Sequence, residues 1–562
     1  MNARSDIRLL AAAFCASILL ALPAAAATIT VLNMDGPGEG FNDATPAAPV
    51  GGNPGTTIGA QRLYVFQYAA NLWGSILPST VEIRVQAAFN PLTCDSVSGV
   101  LGSTSVIHVW RDFSGAPLSG HWYHDALADK LSGIDQLPTA NDMNAQFNSS
   151  LGGTNCLPMG WYYGVDGNEG NQIELLPVVL HEFAHGLGFS TLTSGQTGGY
   201  LSSFPSLWDH YLMDNSLGLH WDQMTAAQRA ASAIACQRLV WDGAYTIQKA
   251  PEFQSGRLVL RVNAPPGIAN DYRAANATFG PQFDTIGITG NVVLANDGVG
   301  TVTNGCEPFV NAAAIAGNIA LVDRGACTFT VKVKNAQDAG AIAVIVADST
   351  AGCVAGMGGT DATITIPSLR ITQADGAILK ANLASGLNAT LVVDPARLAG
   401  ADNAGRMLMY TPTPFAAGSS VTHFDVAADP NLLMEPAINT SLSSSVDLTQ
   451  WVFADICWFN ELVSAPGAPQ VATRLEGSAP NPFASSTAVR FSLAREEAVD
   501  LVVCDISGRI VTSLHRGTMS AGPHSITWDG RDAAGRAVSP GVYLCRLRAG
   551  DLTDSRHLVF VR

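Results

Sequence analysis

His181, Glu182 and His185 lie within the stretch 175–189, Leu-Leu-Pro-Val-Val-Leu-His-Glu-Phe-Ala-His-Gly-Leu-Gly-Phe. Residues four apart on an α-helix share a face one turn apart, so both imidazoles can reach one metal ion. Glu182 lies about 100° further round the helix. That is too far round for an easy third ligand, but it suits a base that takes a proton from an ion-bound water. This is the H-E-x-x-H arrangement of zinc hydrolysis, with Glu182 as general base.

A helix must carry these residues. Leu175, Leu176, Val179, Leu180, Phe183 and Leu187 give it a broad apolar face and predict burial. Asn171 with Glu174 has capping-box spacing, but that start puts Pro177 inside the helix; a start nearer Pro177 removes the conflict. Gly186 and Gly188 let the chain turn away after His185.

A catalytic zinc usually takes three protein ligands and leaves one position for water. The compact continuation H-E-x-x-H-x-x-G-x-x-H fails here. Gly188 is present, but Thr191 stands at the third His position. Two downstream candidates remain. Asp209 lies near where thermolysin-like enzymes place an acid from a second helix, although a capping or surface acid is its simpler role. His423 lies in 418–436, Gly-Ser-Ser-Val-Thr-His-Phe-Asp-Val-Ala-Ala-Asp-Pro-Asn-Leu-Leu-Met-Glu-Pro. That segment resembles the third-ligand and Met-turn segment of leishmanolysin-like metzincins. The resemblance runs through Gly188, Phe189, His423 and Met434. It implies zinc held by His181, His185 and His423, with Met434 beneath as an apolar floor. Asp425 would share the side of His423 on an extended segment. His121 and His124 are three apart but have no carboxylate of their own, and they read as core or surface residues.

The 562 residues are enough for three or four domains. The net charge of −16 argues against nucleic acid or an anionic membrane as partner. Residues 1–27 read as a secretory signal, with Arg4 and Arg8 before an apolar run and Ala-x-Ala sites at its end. Nothing later is long and apolar enough for stable membrane insertion. Export favours disulfides. Pairing within segments gives Cys94–Cys156, Cys306–Cys327 and Cys504–Cys545, although spacing fixes no connectivity.

Around the histidine helix, residues 28–249 read as the first part of a peptidase. Residues 61–77 have helical spacing at Leu63, Phe66, Ala70 and Trp73, and 81–89 alternate as a strand. Residues 141–151 read as a short polar helix or loop, and 206–235 as largely helical. The pattern then changes over residues 250–398, where a strand at 318–323, a helix at 328–339 and a strand at 341–347 make a βαβ unit. The stretch from Ile319 to Ala341, with Ile366-Pro-Ser-Leu-Arg-Ile-Thr, resembles the protease-associated (PA) domain. In proteases, PA domains serve as non-catalytic lids or docking modules. A module whose ends lie close together can be inserted in a loop at modest cost, so 399–463 would complete the peptidase.

Residues 464–482 are rich in Pro, Ala, Gly and Ser and read as a linker. Residues 483–562 give short alternating strands and a β-sandwich. Asn481-Pro-Phe, Asp505-Ile-Ser-Gly-Arg, Trp528-Asp-Gly-Arg-Asp and Ser539-Pro-Gly-Val-Tyr resemble type IX secretion sorting domains and, equally, the Ig-like domain of flagellar hook-capping proteins. The former implies secretion machinery as a partner and an extracellular or cell-surface location.

The expected fold is α+β: a metzincin-like zinc protease, an inserted α/β PA domain and a C-terminal β-sandwich. The expected activity is that of a secreted zinc endopeptidase cleaving protein or peptide substrates. Two other readings stand beside it: an inactive protease scaffold used for adhesion, and an aminopeptidase, for which the sequence offers no second-metal ligand set.

Overall fold

The computed structural model describes residues 26–437, 445–459 and 474–561, apart from 480, 482, 484, 494–496, 506–508, 520, 521 and 551. The signal segment, except for its last two residues, and most of the linker fall outside these. The chain divides into two compact units, Met1–Phe459 and Asn460–Arg562.

The first unit opens with a four-stranded sheet in the order Ile29–Asn33, Ile83–Asn90, Met143–Asn148, Gly102–Val106. The first three strands run parallel, and Gly102–Val106 closes one edge antiparallel to its neighbour. Met143–Asn148 corrects the helix-or-loop reading of 141–151. Its side chains alternate at period two, with Met143, Ala145 and Phe147 fully buried.

Two helices pack on this sheet. Ile58–Ile76 starts at Thr57, whose hydroxyl accepts the Ala60 N–H at 3.2 Å. It buries Phe66, Ala70 and Trp73 as its spacing predicts, but Leu63 faces solvent. The histidine helix, Leu175–Leu187, lies alongside; Trp73 Nε1 donates to the Leu180 carbonyl at 3.1 Å. Its N-cap is Glu174, with no side-chain capping bond, so the Asn171 box does not form. Pro177 sits in the first turn, where a missing N–H costs no helical hydrogen bond. The helix lies so close to the sheet that a Cβ on Gly186 would fall 2.3 Å from Met143 Sδ.

The region 206–235 is more broken than its composition predicts. Helices Leu207–Tyr211 and Ala226–Ser232 flank the strands Leu212–Asp214 and Leu219–His220 and a 3₁₀ turn, Trp221–Gln223. Asp214 Oδ1 accepts from Ser216 N at 2.9 Å, and Gly218 adopts φ +67°, so a tight turn replaces helix.

The inserted domain is an eight-stranded mixed sheet. Its strands Ile288–Leu294, Ile319–Asp323, Ala343–Ala347 and Ser368–Ile371 run parallel. The helix Phe329–Asp338, capped by Thr328, supplies the expected βαβ crossover. Cys306–Cys327 and Cys94–Cys156 form as expected. A third bridge, Cys236–Cys353, ties the insert to the chain that precedes it.

The second unit has a three-stranded and a four-stranded antiparallel sheet enclosing Phe491, Leu501, Trp528 and Leu547. Its first strand, Arg474–Ala479, falls within the stretch read as linker. The Cys504–Cys545 bridge does not form. Cys545 stands opposite Val503, so Cys504 points to the other face of the sheet.

Candidate metal centre

His181, His185 and His423 meet. Their Nε2 atoms form a near-equilateral triangle with edges of 3.1, 3.1 and 3.2 Å. The first two come from successive turns of the helix. The third arrives from a segment 242 residues beyond His181.

Each ring is oriented through its other nitrogen. His181 Nδ1 donates to the Leu433 carbonyl at 2.7 Å, His185 Nδ1 to Phe189 at 2.8 Å, and His423 Nδ1 to Ser419 at 2.9 Å. A carbonyl only accepts, so Nδ1 carries the hydrogen in every ring and Nε2 is a bare lone pair. Burial pushes His181 down to about 3 and His185 to about 4, and holds His423 well below its ordinary value, so all three rings are neutral.

Three lone pairs about 3 Å apart repel unless a cation lies among them. Nitrogens held tetrahedrally at ~2.0–2.1 Å from zinc stand ~3.3 Å from one another. The observed triangle is close to that spacing. Carbonyls that accept from Nδ1 are the usual companions of metal-binding imidazoles. The donor set therefore fits a zinc-class ion.

Local sequence explains the placement. Gly188 takes φ +124° and lets Phe189 N return to the Ala184 carbonyl at 2.9 Å. That turn delivers the Phe189 carbonyl to His185. Phe424 N donates to the Met434 carbonyl at 2.8 Å, so the turn holding Leu433 lies against the segment holding His423. Met434 is fully buried.

Glu182 lines the same cleft and is buried; burial raises its carboxyl to about 8. A bound cation would draw it back towards the carboxylate. Glu182 rests against Gly102 of the edge strand, where a Cβ would lie 2.8 Å from Glu182 Cγ and 3.1 Å from its Oε1. The cleft holds about 1200 Å³ and runs between that edge strand and 415–423. Among the described residues its lining includes Glu169, Glu174 and Glu435 and no Lys or Arg.

Asp209 is not a ligand. Its carboxylate accepts from Thr191 Oγ1 at 2.6 Å, Thr193 Oγ1 at 2.5 Å and Ser206 N at 2.7 Å, capping its helix. Thr191, in the vacant third-His position, thus serves Asp209. Asp425 is buried and accepts from Ala427 N at 3.0 Å, outside the triangle. His124 is buried against Ser190 Oγ at 2.7 Å. Sequence reasoning missed Gly102, and a lone glycine in a polar strand gives no signal of its role. It also missed the carbonyls of Leu433 and Ser419, which carry no side-chain signature.

Comparisons with known proteins bear on parts of the chain. Residues 288–379 match the PA domain family, and residues 481–551 the FlgD Ig-like domain. No curated protein matches the chain. Among solved structures, the zinc aminopeptidase BSAP of Bacillus subtilis is 24% identical with a TM-score of 0.19, covering 30% of this chain and 38% of its own. An aminopeptidase of Aneurinibacillus sp. strain AM-1 is 20% identical with a TM-score of 0.20, covering 34% and 42%. FlgD of P. aeruginosa is 25% identical with a TM-score of 0.11, covering 13% and 57%. The chain spans about two fifths of the length of those two aminopeptidases. It is an α+β protein that contains a PA domain and a C-terminal FlgD-type Ig-like domain.

Proposed function

We propose that this chain is a zinc-dependent peptidase of the metzincin type, acting as an endopeptidase on protein or peptide substrates outside the cell. The observation that carries the proposal is the triangle of three bare Nε2 atoms, each with its Nδ1 donated to a carbonyl.

Zinc bound there would acidify a water and polarise a substrate carbonyl. Glu182 lies on the same helix, in the same cleft, and would hold the proton removed from that water and return it to the leaving amine. The edge strand Gly102–Val106 has a neighbour on one side only within its sheet. Its other side lies along the cleft, where an extended peptide could add as a further strand. The cleft's acidic lining favours substrates with basic residues.

The inserted domain supplies none of the cleft's lining among the described residues. Its proposed role is docking or spacing, not chemistry. No described helix is long and apolar enough to cross a membrane. Secretion, and a C-terminal domain that engages secretion machinery, rest on the sequence motifs.

The test is Glu182→Gln. It should leave one zinc at the three histidines and lower turnover of casein by at least ~10²-fold, the usual scale of a lost general base. Normal cleavage by that variant would refute the assignment of the base. Product mapping then separates internal cleavage from release of single N-terminal residues.

A further inference from the structure

Away from the cleft, three segments bring together His121, His210 and Asp222. His121 lies on the loop before Tyr123–His124, His210 on the helix Leu207–Tyr211, and Asp222 on the 3₁₀ turn Trp221–Gln223. Each offers a ligand atom within 4.8 Å of the others. None of the three lines the cleft.

The hydrogen-bonding pattern there is incomplete. His121 Nδ1 is 3.0 Å from the Ser119 carbonyl, so it carries a hydrogen, and in the neutral ring Nε2 is a bare lone pair. That Nε2 is buried and has no hydrogen-bond partner among the described residues. It faces Asp222 Oδ2 at 3.5 Å, beyond the ~2.7–3.2 Å of a good hydrogen bond. The other carboxylate oxygen, Asp222 Oδ1, is also buried and unpartnered. His210 Nδ1 donates to Oδ2 at 2.7 Å, a hydrogen bond that a bound ion would replace, and its side chain is 40% exposed. The Asp222 carboxylate holds His121 above its ordinary pKa, so this half-buried cluster favours a positive charge between them, which a proton or a metal cation can supply.

We infer that His121, His210 and Asp222 form a second site, for a divalent transition-metal ion of the zinc class. An ion ~2.1 Å from each donor would subtend ~80° at the 2.7 Å His210–Asp222 edge and ~110° at the 3.5 Å His121–Asp222 edge, and it requires the third edge, which lies within 4.8 Å, to close to ~4.2 Å or less. Asp222 Oδ1 supplies a second carboxylate oxygen, and the exposed flank at His210 admits water. Ser119 orients His121 as the carbonyls orient the three cleft histidines. The site is structural. Trp122 N donates to Pro205 O at 2.8 Å and Leu207 N to Trp122 O at 2.9 Å, so the ion would reinforce a junction that the backbone already makes. That junction joins the hairpin feeding His124 to the chain that follows the histidine helix.

The test is metal stoichiometry of the full chain after loading with Zn²⁺ and desalting. Wild type should hold two equivalents. Asp222→Asn and His121→Ala should each hold one, and so should His423→Ala; the Asp222→Asn/His423→Ala pair should hold none. Should a buried substitution fail to fold, His210→Ala changes a more exposed side chain and should weaken the second equivalent at least tenfold in a chelator titration. Two equivalents in Asp222→Asn would overturn the inference. So would a single wild-type equivalent that only His423→Ala removes, which would leave a proton on His121 as the occupant. Loss in Asp222→Asn without loss in His423→Ala would sustain this site and refute the one in the cleft.

Discussion

Glycine at 102 decides where the proposed base can stand. An added Cβ there would lie 2.8 Å from Glu182 Cγ, against the ~3.5–4.0 Å at which carbons pack. Glu182 must then move by at least ~0.7 Å. The helix is buried along nearly its whole length, so the side chain gives way towards the cleft it lines. A misplacement of ~1 Å in a reacting group costs about 10²-fold in rate, so Gly102→Ala should lower kcat/KM by ~30- to 100-fold, or about 2–3 kcal/mol. The backbone at 102 is an ordinary strand position without positive φ, so the ladder to Phe147 should survive. Overpacking limits the stability loss to about 1–3 kcal/mol. The assay is cleavage of casein beside zinc content and thermal unfolding of the same preparation. Full zinc, a small melting shift and a large rate loss are expected. A rate within twofold of wild type, with the variant folded and zinc-loaded, would refute the placement of Glu182 as base.

Other predictions concern stability. Gly188→Ala forces a side chain into φ +124° and puts its Cβ 3.0 Å from Ile456 Cδ1; a loss of about 1–3 kcal/mol should appear as a lower urea midpoint. Cys236→Ser with Cys353→Ser opens a link across 117 residues; loop entropy sets an upper bound of about 5 kcal/mol, and an unchanged melt would show the bridge idle. Burial raises the Asp142 carboxyl to about 7, from a usual value near 4. Between those two values the folded chain holds a proton that the unfolded chain has lost, so this group's contribution declines as pH rises through the window. Asp142→Asn keeps an oxygen for the Arg84 N–H, bonded at 2.6 Å, and should flatten the decline in denaturant titrations run from pH 4 to 8.

What can be read from the sequence follows the range of the interactions. The histidine helix is legible because its two imidazoles, apolar face and terminating glycine all lie within four turns. The βαβ core of the insert is legible for the same reason: Thr328 caps, Phe329–Asp338 crosses over, and two apolar runs flank it. Met143–Asn148 is not. Its alternation is carried by Met, Ala and Phe among Asn and Gln, and only pairing with Ile83–Asn90 makes it a strand. The Cys236–Cys353 bridge joins parts with no local relation. The Cys504–Cys545 pairing fails on a one-residue register that only the folded sheet reveals. His121 reads as a stray histidine until folding brings Asp222 to 3.5 Å.

His185 and His423 lie far apart in sequence, yet their Nε2 atoms stand 3.2 Å apart across the interruption. A hydrogen-bond relay spans it. Before the insert, Leu239–Trp241 lies in a strand. After it, Trp241 N donates to the Met407 carbonyl at 2.8 Å and Met409 N to Leu239 at 2.9 Å. The next link is Tyr410 N to the His423 carbonyl and Val421 N to the Tyr410 carbonyl, at 2.9 and 2.8 Å. His423 is therefore registered against a strand that precedes the insert. The insert closes on itself, since Gly256 pairs with Leu398 in its own sheet. Because the insert's ends meet in its own sheet, its length adds little loop-closure entropy to the placement of His423. Past the triangle, Trp458 Nε1 donates to the Leu187 carbonyl at 2.9 Å, fastening the far end of the histidine helix from the completed side. The third imidazole is thus tied by backbone hydrogen bonds to a strand that precedes the insert.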